Sequence, residues 1–128
     1  MKDELYKLAS EVRKFAHARY SNYKVGAALL SEGQRTFVGC NVENAVYPLG
    51  QCAERVAVQA MIAGGAKQIE SLMVVTENGA APCGACCQVI AEFAEPSVTI
   101  YIADENGNIR EATLGVLLPD AFTLEERP

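Results

Sequence analysis

Three cysteines in two separated segments set the strongest condition on any fold for this chain. Cys52-Ala53-Glu54-Arg55 and Pro82-Cys83-Gly84-Ala85-Cys86 both stand where helix-forming sequence begins. A helix start favours negative charge and lowers a thiol's pKa, so each segment can present a thiolate at its first turn. Cys83 and Cys86 share one helix face about a turn apart. If the fold brings Cys52 to the same point, three sulfurs converge and a fourth tetrahedral position stays open. An open position marks a catalytic zinc site rather than a structural one.

The hydrophobic pattern around these segments supplies the elements. Leu5, Leu8, Val12 and Phe15 follow helical spacing and predict a helix over residues 3 to about 18. Residues 25–30 and 36–42, separated by a turn at Gly33, predict an antiparallel hairpin. Ala53, Val56, Ala57, Ala60 and Met61 predict a helix over 53–63, stopped by Gly64-Gly65. The apolar run 72–75 reads as a strand buried on both faces. Pro82 precedes a second helix reaching about residue 94, with Val89, Ile90 and Phe93 facing inward. Residues 98–103 and 109–112 flank the turn signal Asn106-Gly107 and predict an antiparallel pair of strands. Residues 114–118 read as one helical turn ended by Pro119. This order predicts a mixed sheet with helices on both faces, in a single domain over 1–128.

Composition narrows the class. The chain has 128 residues, 50% hydrophobic and 21% charged, an ordinary balance for one globular domain. Its net charge of −5 argues against a nucleic-acid partner, which needs a Lys/Arg surplus. No stretch approaches the ~20 apolar residues of a membrane span, and the charged start does not read as a signal peptide. A cytoplasmic location is expected. In a reducing compartment, Cys40, Cys52, Cys83, Cys86 and Cys87 read as metal ligands, catalytic thiols or small buried residues rather than disulfide partners. Cys40 stands alone and reads as a small buried hydrophobe. The single histidine, His17, falls in the expected first helix as a surface or core residue, so the metal site should be all-sulfur.

Glu54 has two readings, an exposed residue favoured near the positive helix end or a buried proton shuttle beside the metal. The second requires Cys52 at the very first helix position, because residues two apart do not face the same way. Arg55 can donate hydrogen bonds to a thiolate and offset the charge of three sulfurs, or it can face solvent. Cys87 could close a structural four-sulfur site, although adjacent helix residues point about 100° apart. Cys83 and Cys86 alone could form a redox pair, which would leave Cys52-Ala53-Glu54 without a role.

Cys-x-Glu followed by Pro-Cys-x-x-Cys is the all-cysteine form of a known zinc-deaminase signature. Further ordered blocks accompany it: residues 20–29 (YSNYKVGAAL), 39–47 (GCNVENAVY) and 117–122 (LLPDAF). Over nearly its whole length the chain resembles small single-domain cytidine deaminases. The resemblance implies a three-layer α/β/α fold around a five-stranded mixed sheet whose last two strands are antiparallel. It implies a homotetramer with active sites shared between subunits and one Zn2+ per subunit. The implied reaction is hydrolytic deamination of cytidine and deoxycytidine in pyrimidine salvage, with Glu54 moving protons. Asn41 and Glu43 would bind the ribose hydroxyls, and Tyr23 would pack against the nucleoside. Ala53, Ala45, Tyr47 and Phe122 would contact substrate or its pocket, the last three from neighbouring subunits. The chain departs from the family pattern at Cys87, where arginine is usual, and at Asp120, where glycine is usual. A deaminase of another nucleoside or base is the nearest alternative.

Overall fold

Alternating burial along two strands decides the layers. Ala27, Leu29, Leu72 and Val74 point to one face, and Ala28, Leu30, Met73 and Val75 to the other, each buried. Both faces of the central sheet therefore need cover. In a computed structural model describing residues 1–124, helices provide it on each side. The last four residues of the expected 1–128 domain lie outside the described residues.

The elements are α1 (Lys2–Arg13), β1 (Gly26–Ser31), β2 (Arg35–Cys40), α2 (Ala53–Ala63), β3 (Ile69–Thr76), α3 (Gly84–Ala91), β4 (Thr99–Asp104), β5 (Ile109–Thr113) and α4 (Leu114–Leu117). The sheet order is β2-β1-β3-β4-β5. β1 runs antiparallel to β2 and β3, β3 runs parallel to β4, and β4 runs antiparallel to β5. The expected five-stranded mixed sheet with an antiparallel final pair is what forms. α1 covers one face through Leu5 and Ala9. α2, α3 and α4 cover the other through Ala57, Met61, Ile90 and Leu114. Fully burying one such Leu or Ile side chain contributes about 1.5–3 kcal/mol.

Two layers touch backbone to backbone. A Cβ at Gly39 in β2 would lie 2.4 Å from Ala57 N and 2.6 Å from Ala53 O, both in α2. A Cβ at Gly26 in β1 would lie 2.0 Å from Ala9 O in α1. Only glycine permits either approach.

The element ends differ from expectation where distant contacts compete with local pattern. α1 stops at Arg13 rather than near 18, and Phe15 is exposed instead of facing the core. His17 is not helical. It forms a bridge with Val42 and donates its N–H to the Asn41 carbonyl at 2.9 Å, which pulls the chain out of the helix. β2 ends at Cys40, two residues before the expected limit, because Val42 pairs with Gln51 instead. β3 is longer than the 72–75 run because its ends pair with β1 and β4. α3 ends at Ala91 rather than near 94; the N–H groups of Glu92 and Phe93 turn back to Val89 and Ile90 in a tightened last turn. The Asn106-Gly107 turn forms as expected, with Gly107 at φ 89° and Asp104 Oδ1 accepting from Asn106 N and Asn108 N.

Candidate active site

Two helix starts meet beside the carboxyl end of β3. Cys52 is the residue capping α2 and Cys83 the one capping α3, both with extended backbone. Val42 and Gln51 exchange two 2.9 Å backbone hydrogen bonds, which pins the chain just before Cys52. Cys83 Sγ accepts from Cys86 N at 3.4 Å, so the first turn of α3 holds its own two sulfurs in register. The three sulfur atoms of Cys52, Cys83 and Cys86 all lie within 4.8 Å of one another. Zn–S bonds of about 2.3 Å place tetrahedral sulfurs about 4 Å apart, so this donor set suits zinc in both softness and spacing.

The sulfurs are electrostatically unequal. Among the protein groups alone, the Cys52 thiol is pulled down to about 5, chiefly by a hydrogen bond from Cys86 and then by Arg55, against the cost of its burial. The same bond to Cys52, together with burial, pushes Cys86 far up. Arg55 Nη2 reaches Cys52 Sγ at 3.5 Å, the contact expected of it, while its Nε is buried without a partner.

Glu54 follows in the first turn of α2 and is 5% exposed, not a surface residue. Burial pushes its carboxyl up to about 7, the range of a group that exchanges protons near neutral pH. Glu54 and the three cysteines line one cavity of about 460 Å³ with Tyr23, Asn41, Glu43, Tyr47 and the fully buried Ala53.

Asn41 and Glu43 lie beyond the end of β2, not within a strand. Asn41 is 9% exposed; its Oδ1 accepts from Val25 N and its Nδ2 donates to Tyr23 O, both at 2.9 Å. Glu43 Oε1 accepts from Tyr20 N at 2.9 Å and Ser21 N at 3.1 Å, and the Ser21 hydroxyl donates to Oε2. The Ser21 bond is the main reason Glu43 sits below the usual carboxylate range. Sequence reasoning gave Ser21 no role of its own, although it lines the cavity and falls in the 20–29 block. It missed Thr76 and Asn78 as well, which no motif marks.

Ala45 and Phe122, expected to serve a neighbouring subunit's site, do not line the cavity of their own chain. Ala45 is exposed and outside the lining, and Phe122 is 67% exposed. Phe122 is held through its main chain: its N–H donates to Gln88 Oε1 at 3.1 Å, and Gln88 Nε2 donates to its carbonyl at 2.8 Å. Tyr47 stands at the rim, its ring 6.4 Å from that of Tyr20. Cys87 is not grouped with the three sulfurs. It packs in the core below α2, its Sγ 3.8 Å from the Pro82 carbonyl. Cys40 is half-buried on β2 rather than buried, and all five cysteines are free.

Comparison with known proteins agrees with this arrangement. The family described as "Cytidine and deoxycytidylate deaminase zinc-binding region" matches residues 1–102. The cytidine deaminase of Sporosarcina psychrophila is 41% identical over 126 residues, spanning 97% of this chain and 93% of that protein. That of Mycobacterium tuberculosis is 38% identical over 122 residues, spanning 94% and 88%. The crystal structure of the cytidine deaminase from Burkholderia pseudomallei superposes with a TM-score of 0.91 at 42% identity, covering 95% of this chain and 99% of that one. With its three converging sulfurs and buried glutamate in the matched region, the chain belongs to the cytidine and deoxycytidylate deaminase family.

Proposed function

We propose that the chain hydrolyses cytidine and deoxycytidine to uridine and deoxyuridine, releasing ammonia. The observation that carries this reading is the buried Glu54 in one cavity with the Cys52–Cys83–Cys86 sulfur cluster. Cys52, Cys83 and Cys86 would hold a single zinc, which when bound would supply the Lewis acidity that makes water nucleophilic near neutral pH. Glu54 accepts the proton of the attacking water and delivers it to ring N3, which makes C4 electrophilic. The C4–O bond forms. Glu54 then takes the proton of the new C4 hydroxyl and carries it to the amino group; C4=O forms as the C4–N bond breaks and ammonia leaves. Its burial suits a carboxyl that must both take and give a proton. Arg55 offsets the negative charge that three thiolates bring to the site.

Asn41 and Glu43 orient the ribose hydroxyls. Support comes from their place in the cavity and from the backbone hydrogen bonds that hold each side chain still. Tyr23 and Ala53 pack against the nucleoside. Ala45, Tyr47 and Phe122 serve a neighbour's site in a homotetramer, which their exposure supports. The net charge of −5 favours a free nucleoside over nucleic acid, and the setting is cytoplasmic pyrimidine salvage by one domain over 1–128.

The test combines metal analysis, sedimentation and a spectrophotometric screen of nucleosides and free bases. A single zinc per chain, a tetramer and conversion of cytidine and deoxycytidine are expected. Glu54→Gln should keep its zinc and lose turnover by several orders of magnitude. Zinc-free purified protein, or a Glu54→Gln variant that still turns over, overturns the reading.

A further inference from the structure

The two walls of the active-site cavity come from segments far apart in sequence. Residues 20–25 form one wall and are held by Asn41 and Glu43. Residues 76–83 form the other and lead into Cys83. A side-chain hydrogen bond joins them: Tyr23 Oη donates to Asn78 Oδ1 at 2.6 Å, across 55 positions of sequence. Behind Asn78 the loop is wound on the hydroxyl of Thr76, which is 3% exposed. Thr76 Oγ1 accepts from Gly79 N at 2.8 Å and Ala80 N at 2.9 Å, and donates to Asn78 Oδ1 at 3.4 Å. Gly79, at φ 76°, permits this tight winding. The residues that follow, Ala80, Ala81 and Cys83, line the cavity.

We infer that Tyr23 and Asn78 are a positioning pair whose hydrogen bond ties the Cys83-bearing loop to the opposite cavity wall and so fixes the width of the substrate site. The other end of Tyr23 is already fixed, since its N–H donates to Ser21 Oγ at 3.0 Å and its carbonyl accepts from Asn41 Nδ2. The hydroxyl is thus presented from a rigid base. Asn78 is exposed, so the bond adds little to global stability, and its effect falls on the loop it restrains. Tyr23 acts here through its hydroxyl, separately from any packing of its ring against substrate.

The inference rests on the deaminase reading for its kinetic arm, and on amide exchange for an arm independent of that reading. Tyr23→Phe, which keeps the ring, and Asn78→Ala should each raise KM for cytidine about fivefold, the scale of one net hydrogen bond, with kcat nearly unchanged. The double variant should be no worse than either single one, because both remove the same bond. Asn78→Asp, which keeps an acceptor, should stay near the parent. Amide exchange over residues 77–82 should accelerate in Tyr23→Phe and Asn78→Ala, while the urea midpoint holds. Additive losses, or unchanged KM with unchanged exchange, overturn the pairing. A parent protein that exchanges as described but does not deaminate cytidine sinks the functional reading and leaves the tie standing.

Discussion

Arg55 shows how one side chain gains its value from its neighbours. On a helix surface it would contribute little; here its guanidinium meets the Cys52 sulfur at the point where three sulfurs crowd together. Arg55→Ala should cost about 10- to 100-fold in kcat/KM or in zinc retention, the usual loss for a group that supports a metal ligand. A chelator-competition assay beside steady-state kinetics measures both, and parent-like values in each would refute the role. Cys52, Glu54, Cys83 and Cys86 were legible in the sequence because their geometry is local: each lies within one turn of a helix start. Ser21, Thr76 and Asn78 were not legible. Their partners lie elsewhere in the chain or depend on a loop path that no spacing encodes. The exposure of Glu54 was also open until the packing of α2 on the sheet buried it.

At the level of elements, the sequence pattern locates the four α-helices and five strands of the described residues but not every end, and it leaves the short 3-10 turns at Glu32–Gln34 and Tyr47–Leu49 unread. The 53–63 helix was read with its true limits because a sulfur-bearing start and a Gly-Gly stop bracket it. The expected first helix is too long because Phe15 keeps the helical spacing beyond Arg13, where the chain has already left the helix on its way to pairing His17 with Val42. The glycine contacts between layers were equally invisible, since a missing side chain leaves no hydrophobic signal. Gly39→Ala should destabilise the fold by about 2–3 kcal/mol, because the new methyl meets the backbone of α2 and no rotamer relieves it. Gly84→Ala, which adds its methyl in open space at the first turn of α3, should be neutral or stabilising by up to about 1 kcal/mol. Urea unfolding of both variants gives the comparison, and equal midpoints would exclude the close approach as the cause.

At the scale of the molecule, three carboxylates among the described residues brace turns by accepting backbone hydrogen bonds. Glu32 holds Lys67 N and Gln68 N, Asp104 holds Asn106 N and Asn108 N, and Glu43 holds Tyr20 N and Ser21 N. Each sits below its usual pKa, led by Lys67 for Glu32, by the Asn108 side chain for Asp104 and by Ser21 for Glu43. A depressed carboxyl lends stability above its unfolded pKa of about 4, and loses it as pH falls through the folded value. The unfolding midpoint should therefore fall progressively below about pH 4, and Asp104→Asn with Glu32→Gln should flatten that decline. A midpoint that falls as steeply in the double variant would remove these groups from the account. Gln88 adds a consequence of another kind. It grips residue 122 only by peptide atoms, so the course of the tail does not depend on which ring or chain residue 122 carries. A substitution there changes which group is turned outward without redirecting the stretch of peptide that delivers it.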